Sequence, residues 1–185
     1  MRIVIAGCGW LGTEVGRALV TRGHEVIGVR RSDDPALERA GIVTWRANLL
    51  DPAFPGGDAP PADAILACQS AGDRSPAGYR AAYVEINRRL AGWAAVTGIP
   101  RLVYTGSTGV FGGGDGRSVD EASPPRPLGS RGHVLLDAER HVLAARERGV
   151  AYLEKLIRQT GSDPAVGGDR FKRADDVAAV LICAG

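Results

Sequence analysis

The sequence predicts an α/β protein built on a doubly wound parallel sheet. Short β-branched runs alternate with segments of helical period along most of the chain. A glycine-rich turn separates the first such run from the first helical segment. The composition is ordinary for a globular chain: 185 residues, 44% hydrophobic and 24% charged, enough for one domain or one domain with part of a second.

Taken in order, residues 2–6 are a β-branched run of the kind that forms a buried strand. Residues 11–22 follow at helical spacing through Leu11, Val15, Ala18 and Leu19, and Gly23 stops them. Residues 25–29 are again strand-like. Residues 35–40 suit a short helix entered through Ser32 or Asp33, and residues 42–46 suit a third strand. Residues 51–63 are rich in Pro and Gly and read as a loop. A fourth strand is expected over 64–68, a long helix over 77–97 and a fifth strand over 101–106. A second Gly/Pro-rich stretch, 112–127, precedes a helix over 130–148. Such alternation places helices on both faces of a parallel sheet. The tail departs from the pattern: residues 150–152 start like a strand but 153–157 are already helical, and 175–183 read as a helix.

Composition excludes several classes of function. Glycine is abundant, 26 of 185 residues, without a Gly-X-Y repeat or a Gly/Ser tract, so it serves particular turns. Three distant cysteines (Cys8, Cys68, Cys183) make neither a disulfide framework nor a spaced zinc site, and no metal is expected. A net charge of +2 gives no argument for nucleic acid or a membrane surface. The first residues carry one arginine and a short apolar run, unlike a signal peptide, and a cytoplasmic location is expected.

Gly7-Cys8-Gly9-Trp10-Leu11-Gly12 is G-x-G-x-x-G, placed after a strand and at the start of a helix. There the first glycine permits a tight turn, the second lets backbone approach a pyrophosphate, and the third allows close helix–strand contact. The helix N-terminus offers amides and partial positive charge to phosphates. Trp10 either covers the pyrophosphate or packs the loop, and packing is favoured. At the end of the second strand stands Arg30-Arg31-Ser32, where an NAD binder usually has an acid. Two guanidiniums and a hydroxyl suit a 2′-phosphate, so NADP is the expected cofactor, with NAD kept open by Asp33.

With these residues in place, the chain resembles the extended short-chain dehydrogenase/reductases, the NAD(P)-dependent epimerase/dehydratase group with a Rossmann fold. Asn48-Leu49-Leu50-Asp51 resembles the family's Asp-Leu-x-Asp, whose first residue contacts adenine; Asn48 replaces the acid. Ala67-Cys68-Gln69 matches the cofactor-lining end of strand four, and Asn87 the family's structural asparagine. Residues 103–112 resemble the strand-five motif, which puts the active-site serine at Ser107. Residues 121–127 resemble the acid-and-proline substrate loop. The resemblance divides the chain into a nucleotide-binding domain, 1–152, and a partial C-terminal substrate segment, 153–185. The expected parent is longer, with an internal piece and a C-terminal region missing here. Arg173 stands at the histidine position of the family's His-x-x-Asp segment.

The family's Tyr-x-x-x-Lys pair has no match. The only lysines are Lys155 and Lys172, and no tyrosine lies between Tyr104 and Tyr152. Arg131 takes the tyrosine position and Leu135 the lysine position, while Tyr152 with Lys155 is one residue short of the spacing. Ser107 remains as a hydrogen-bonding group, and His133 has a pKa range suited to proton transfer, although a surface histidine at a helix start is the favoured reading. Arg131 suits an anion but cannot donate a proton near neutral pH. His133, Asp137 and His141 share a helical stripe with no further metal ligand, which reads as a solvated face.

Two functions follow. One is an oxidoreductase, epimerase or dehydratase acting on a small hydroxyl- or carbonyl-bearing substrate, a nucleotide sugar among them, with Ser107 orienting the oxygen and His133 or water carrying the proton. The other is a non-catalytic NADP(H)-binding redox sensor. The resemblance implies a homodimer through the helices over 77–97 and 130–148, although the small residues Ala81, Ala91, Ala94 and Ala95 could equally pack onto the sheet.

Overall fold

The computed structural model describes residues 1–112 and 123–145. Among them are five parallel strands: β1 (Arg2–Ala6), β2 (Glu25–Arg30), β3 (Val43–Arg46), β4 (Ala64–Ala67) and β5 (Leu102–Tyr104). Their order is β3-β2-β1-β4-β5. The helices are α1 (Trp10–Thr21), α2 (Pro35–Arg39), α3 (Pro76–Tyr79), α4 (Ile86–Thr97) and α5 (Gly129–Leu143). The chain winds outward from β1 through β2 to β3, then returns to β1's other side as β4. That reversal opens a crevice at the carboxyl ends of β1 and β4, where ligands of open α/β sheets bind.

Side-chain alternation along buried strands feeds two cores. Ile3 and Ile5 of β1, with Leu66 and Val103, pack with Val15, Leu19 and Leu37 from α1 and α2. Val4 and Ala6, with Ile65, Leu102 and Tyr104, pack with Leu90, Ala94, Ala138 and Val142 from α4 and α5. Strands covered on both faces carry apolar residues at every position, which is why β1 and β4 read as continuous runs. The Pro/Gly-rich stretch 51–63 is a loop, but it supplies Phe54 to the core. Phe54 stacks on Trp45 at 5.4 Å between centroids, and Trp93 meets both rings edge-on at 5.8 and 6.0 Å.

Two local expectations are corrected. Helix α2 is entered through Asp34, not Ser32 or Asp33: Asp34 Oδ1 accepts from the Ala36 amide at 2.9 Å, with Pro35 pre-setting the first turn. The helix expected over 77–97 runs from α3 to α4, but its middle, Arg80–Glu85, is π-helical. A π turn takes an extra residue per revolution and so re-aims the side chains it carries. Ser75 caps the start, its Oγ accepting from Gly78 N at 3.0 Å, and Gly98 ends the helix in the left-handed region at φ 73°.

Glu85 sits where the π turn returns to α. It accepts from Arg88 Nε and Nη2 at 2.9 and 2.7 Å and from Arg89 Nε at 3.0 Å. The Arg88 hydrogen bonds, helped by both positive charges and opposed by partial burial, lower its carboxyl to about 2. A depressed folded-state pKa stabilises above the unfolded value, and that contribution is lost as pH falls toward 2. The side chain is 34% exposed, so solvent screening limits the effect to about 1 kcal/mol. Glu85→Gln should therefore lower the urea unfolding free energy by about 1 kcal/mol at pH 7. That difference should shrink as the pH of the titration is brought from 5 toward 2. Among the described residues no helix is long and apolar enough to cross a membrane.

Candidate functional site

The loops after β1 and β4 meet at the crevice. Gly7 has φ 77°, and a Cβ there would lie 2.4 Å from Gln69 Cα, so only glycine lets the two backbones touch. Gly9 caps α1 with no side chain to occupy the first-turn amides. A Cβ on Gly9 would meet nothing nearer than Gly7 O at 3.9 Å, so the space above it is open. Thr13 N reaches back to Gly9 O at 2.9 Å, which leaves the amides of Leu11 and Gly12 ahead of the first intrahelical bond. Gly12 lies close over Ile5, Cys68 and Cys8, its ideal Cβ 3.0–3.3 Å from their side chains. An open cradle over a helix N-terminus fits the pyrophosphate of a dinucleotide. Trp10, the first residue of α1, is 57% exposed.

At the end of β2, Arg30 is committed to the protein. Its Nη1 donates to Cys8 O at 3.2 Å and to Asp34 Oδ2 at 2.5 Å. The Ala36 amide, followed by Arg30, holds the Asp34 carboxyl below its ordinary value. Arg31 and Ser32 are exposed beside this latch, and Asp33 faces Arg46 at 3.5 Å. Two acids thus follow the strand, Asp33, singled out by sequence, and Asp34, which partners Arg30. Asn48 is exposed and folds its Oδ1 onto the Leu50 amide at 3.1 Å, while Leu49 is buried.

Along β4, Ala67 is buried and Cys68 is half-buried against the Gly7 carbonyl at 3.6 Å. Burial pushes the Cys8 thiol up to about 11 and raises that of Cys68 as well, so neither is a nucleophile near neutral pH. Gln69 Nε2 donates to Asn87 Oδ1 at 2.9 Å and to Ala82 O at 3.2 Å. Asn87 is fully buried and acts through Gln69, fixing the residue on which the Gly7 turn rests.

Ser107 follows β5. Its Oγ accepts from Gly109 N at 3.2 Å, capping a short 3₁₀ turn, Thr108–Phe111, and its own O–H is left to donate. Helix α5 presses on this turn through Gly132, whose ideal Cβ would lie 2.9 Å from Gly109 O, and Leu135, 3.3 Å from that of Gly109. The structure thus brings Ser107 and Leu135 to the two sides of Gly109. Arg131 turns away from Ser107: its Nη2 donates to Arg74 O at 3.0 Å and its guanidinium lies over the Tyr79 ring at 5.4 Å. His133 is exposed, with Nδ1 on Gly129 O at 2.8 Å. At about 100° per residue it lies some 200° around the helix from Leu135. His133 thus lies off the stripe of α5 that carries Leu135. Asp137 is taken by Arg80 at 3.0 Å, and among the described residues no three His, Cys, Asp or Glu side chains gather into a metal site.

Sequence reasoning passed over Tyr79 and Tyr83. Their rings pack at 5.1 Å and lie against Val110, Phe111 and Leu135. The Tyr83 hydroxyl accepts from Ala71 N at 3.4 Å, just past Gln69. A count of four tyrosines, two of them four residues apart before Asn87, was the available signal. The division at residue 152, the 153–185 segment, Glu121, Tyr152, Lys155, Arg173 and Cys183 lie outside the described residues. A hollow lined by Met1, Arg2, Glu25 and Asp63 lies at the amino edge, away from these loops, its charges spent on one another.

Residues 3–153 match the model of the NAD dependent epimerase/dehydratase family. The chain belongs to that family. It is similar to "Protein YeeZ" of Escherichia coli strain K12, 28% identical over 144 residues, covering 75% of this chain and 52% of the relative. It is also similar to a 2-alkyl-3-oxoalkanoate reductase of Stenotrophomonas maltophilia, 32% identical over 110 residues, 58% of this chain and 33% of that one. Among solved structures, a UDP-galactose 4-epimerase superposes with a TM-score of 0.70 at 24% identity, covering 81% of this chain and 53% of that one. MoeE5, solved with UDP-glucose and NAD, gives 0.65 at 26% identity, covering 84% and 52%. The chain thus spans about half the length of these family structures, and the half it matches includes the glycine loop and the strand-five serine.

Proposed function

We propose that this protein binds NADP(H), and NAD(H) more weakly, and carries out hydride chemistry on a small hydroxyl- or carbonyl-bearing substrate, with nucleotide sugars the first class to try. The observation that carries the reading is the open cradle above Gly9, which shares the carboxyl edge of the sheet with Ser107. A bound nicotinamide supplies the hydride donor or acceptor. The amides of Leu11 and Gly12 hold the diphosphate, and Gln69, fixed by Asn87, closes the opposite wall. With Arg30 latched to Asp34, Arg31 and Ser32 are the groups left to meet a 2′-phosphate. The acids that follow β2, Asp33 and Asp34, are the candidates to accept from ribose hydroxyls when NAD binds instead. Ser107 donates a hydrogen bond to the substrate oxygen.

The second reading, a cofactor-binding redox sensor without turnover, is favoured by Leu135, a buried apolar side chain where the family has lysine. One experiment separates the two. Calorimetric titration with NADPH and NADH should show tighter binding of NADPH. Nicotinamide absorbance followed with sugar nucleotides and simple carbonyl compounds should then show turnover in the wild type. Ser107→Ala should lower it by about 10²–10³-fold with cofactor affinity unchanged. Saturable binding with no absorbance change in any assay supports the sensor; NADH binding as tightly as NADPH contradicts the cofactor assignment.

A further inference from the structure

We propose that the Tyr83 hydroxyl hands the proton to the substrate's carbonyl oxygen in the reductive direction, a proposal that rests on reading the site as an NAD(P)H-dependent enzyme.

Among the described residues, the carboxyl edge between β4 and β5 holds few groups able to do this. Arg131 cannot release a proton near neutral pH and is engaged with Arg74 O and the Tyr79 ring. The thiols of Cys8 and Cys68 are raised by burial. His133 is exposed at the start of α5 with Nδ1 on Gly129 O, about 200° around the helix from Leu135. Tyr104 is 3% exposed, and its hydroxyl is out of a substrate's reach. Ser107 orients an oxygen well but has no adjacent base to make it a proton carrier. Tyr83 is half-buried and carries a phenol, a group that serves as a general acid.

Its placement is specific. The oxygen accepts from Ala71 N, so its own proton points elsewhere. The ring packs against the cluster of Val110, Phe111 and Leu135, and Leu135 and Ser107 Oγ both lie within 3.4 Å of where a Cβ on Gly109 would stand. Tyr83 sits in the middle of the π-helical segment, and π turns recur where a helix must re-aim a functional side chain. Burial, then the nearby Tyr83 and Glu139, holds the Tyr104 phenol well above its ordinary value, so Tyr104 stays protonated in the core near Tyr83.

The step balances. Hydride from the reduced nicotinamide adds to the carbonyl carbon, and the C=O π pair moves onto oxygen. That oxygen takes the Tyr83 phenolic proton. The phenolate regains a proton from water, and the nicotinamide leaves oxidised.

Two readouts test this. N-acetylimidazole, with the modified sites read by mass spectrometry, should acetylate Tyr83 in the free protein, and saturating NADPH should slow that reaction at least about tenfold. Failure of Tyr83 to react in the free protein overturns the proposal, because its hydroxyl is then out of reach. The second is NADPH oxidation with a UDP-4-ketosugar and with a 3-oxoacid. Tyr83→Phe should cut kcat by about 10²–10⁴-fold, the usual worth of a general acid, with the NADPH dissociation constant unchanged. Tyr79→Phe, lacking only the neighbouring hydroxyl, should keep its rate. Turnover lost in Ser107→Ala but kept in Tyr83→Phe overturns this inference alone. No NADPH oxidation by the wild type overturns it together with the enzymatic reading.

Discussion

Gly7→Ala should cost the protein much of its stability, whereas Gly9→Ala should leave the fold intact and remove cofactor binding. At Gly7 two penalties add. The backbone is at φ 77°, where an alanine is strained, and its Cβ would stand 2.4 Å from Gln69 Cα, a backbone atom that cannot swing aside. The loops after β1 and β4 would have to separate, and we expect a loss of about 3–5 kcal/mol in urea unfolding. At Gly9 neither penalty applies: φ is −84° and the added methyl enters open space. Unfolding should shift by no more than about 0.5 kcal/mol. That open space is where the diphosphate is proposed to lie, however, so NADPH affinity measured by calorimetry should fall at least about tenfold, some 1.4 kcal/mol. A Gly9→Ala protein that binds NADPH like the wild type would show that the cofactor does not lie over this loop. One glycine serves the fold and the other the ligand, though the motif spells them alike.

The winding of the sheet was legible because buried parallel strands and amphipathic helices leave different periods, and most boundaries fall within two residues of those expected. What was not legible depends on which of several suitable residues the tertiary structure uses. Ser32, Asp33 and Asp34 all have capping side chains; only the path from β2 into α2 selects Asp34, and with it the partner of Arg30. Residues 80–85 carry no unusual side chain, so the π turn could not be read from them. It answers to where Tyr83 and α5 must fit. Phe54 lies in a stretch whose prolines and glycines announce a loop, yet loops also carry core aromatics when a helix such as α4 leaves a ring-sized space. The packing of Tyr83 against Val110 and Phe111 of the turn that Ser107 caps was not legible, because no local pattern joins residues so far apart in the chain.

The link between that fold and the crevice runs through Asn87, and removing it should be felt at both. Asn87 Oδ1 is a buried acceptor for Gln69 Nε2, and Gln69 is the residue against which Gly7 turns. Asn87→Ala deletes the acceptor, opens a cavity under α4 and leaves Gln69 Nε2 with Ala82 O alone. A lost partner for a buried group and a small cavity together cost about 2–4 kcal/mol, which urea unfolding would read. The asymmetry of buried hydrogen bonds provides a sharper check. Replacing one partner strands the other, but replacing both with apolar groups removes the stranded atom. Asn87→Leu and Gln69→Met should each destabilise, and the double variant should be more stable than the sum of the two predicts, by about 1–2 kcal/mol of coupling. If the cycle is additive, the Gln69–Asn87 bond does not carry stability. With coupling present, Asn87→Ala should also weaken NADPH binding although Asn87 itself is fully buried, because the wall opposite the glycine loop is then no longer held in place.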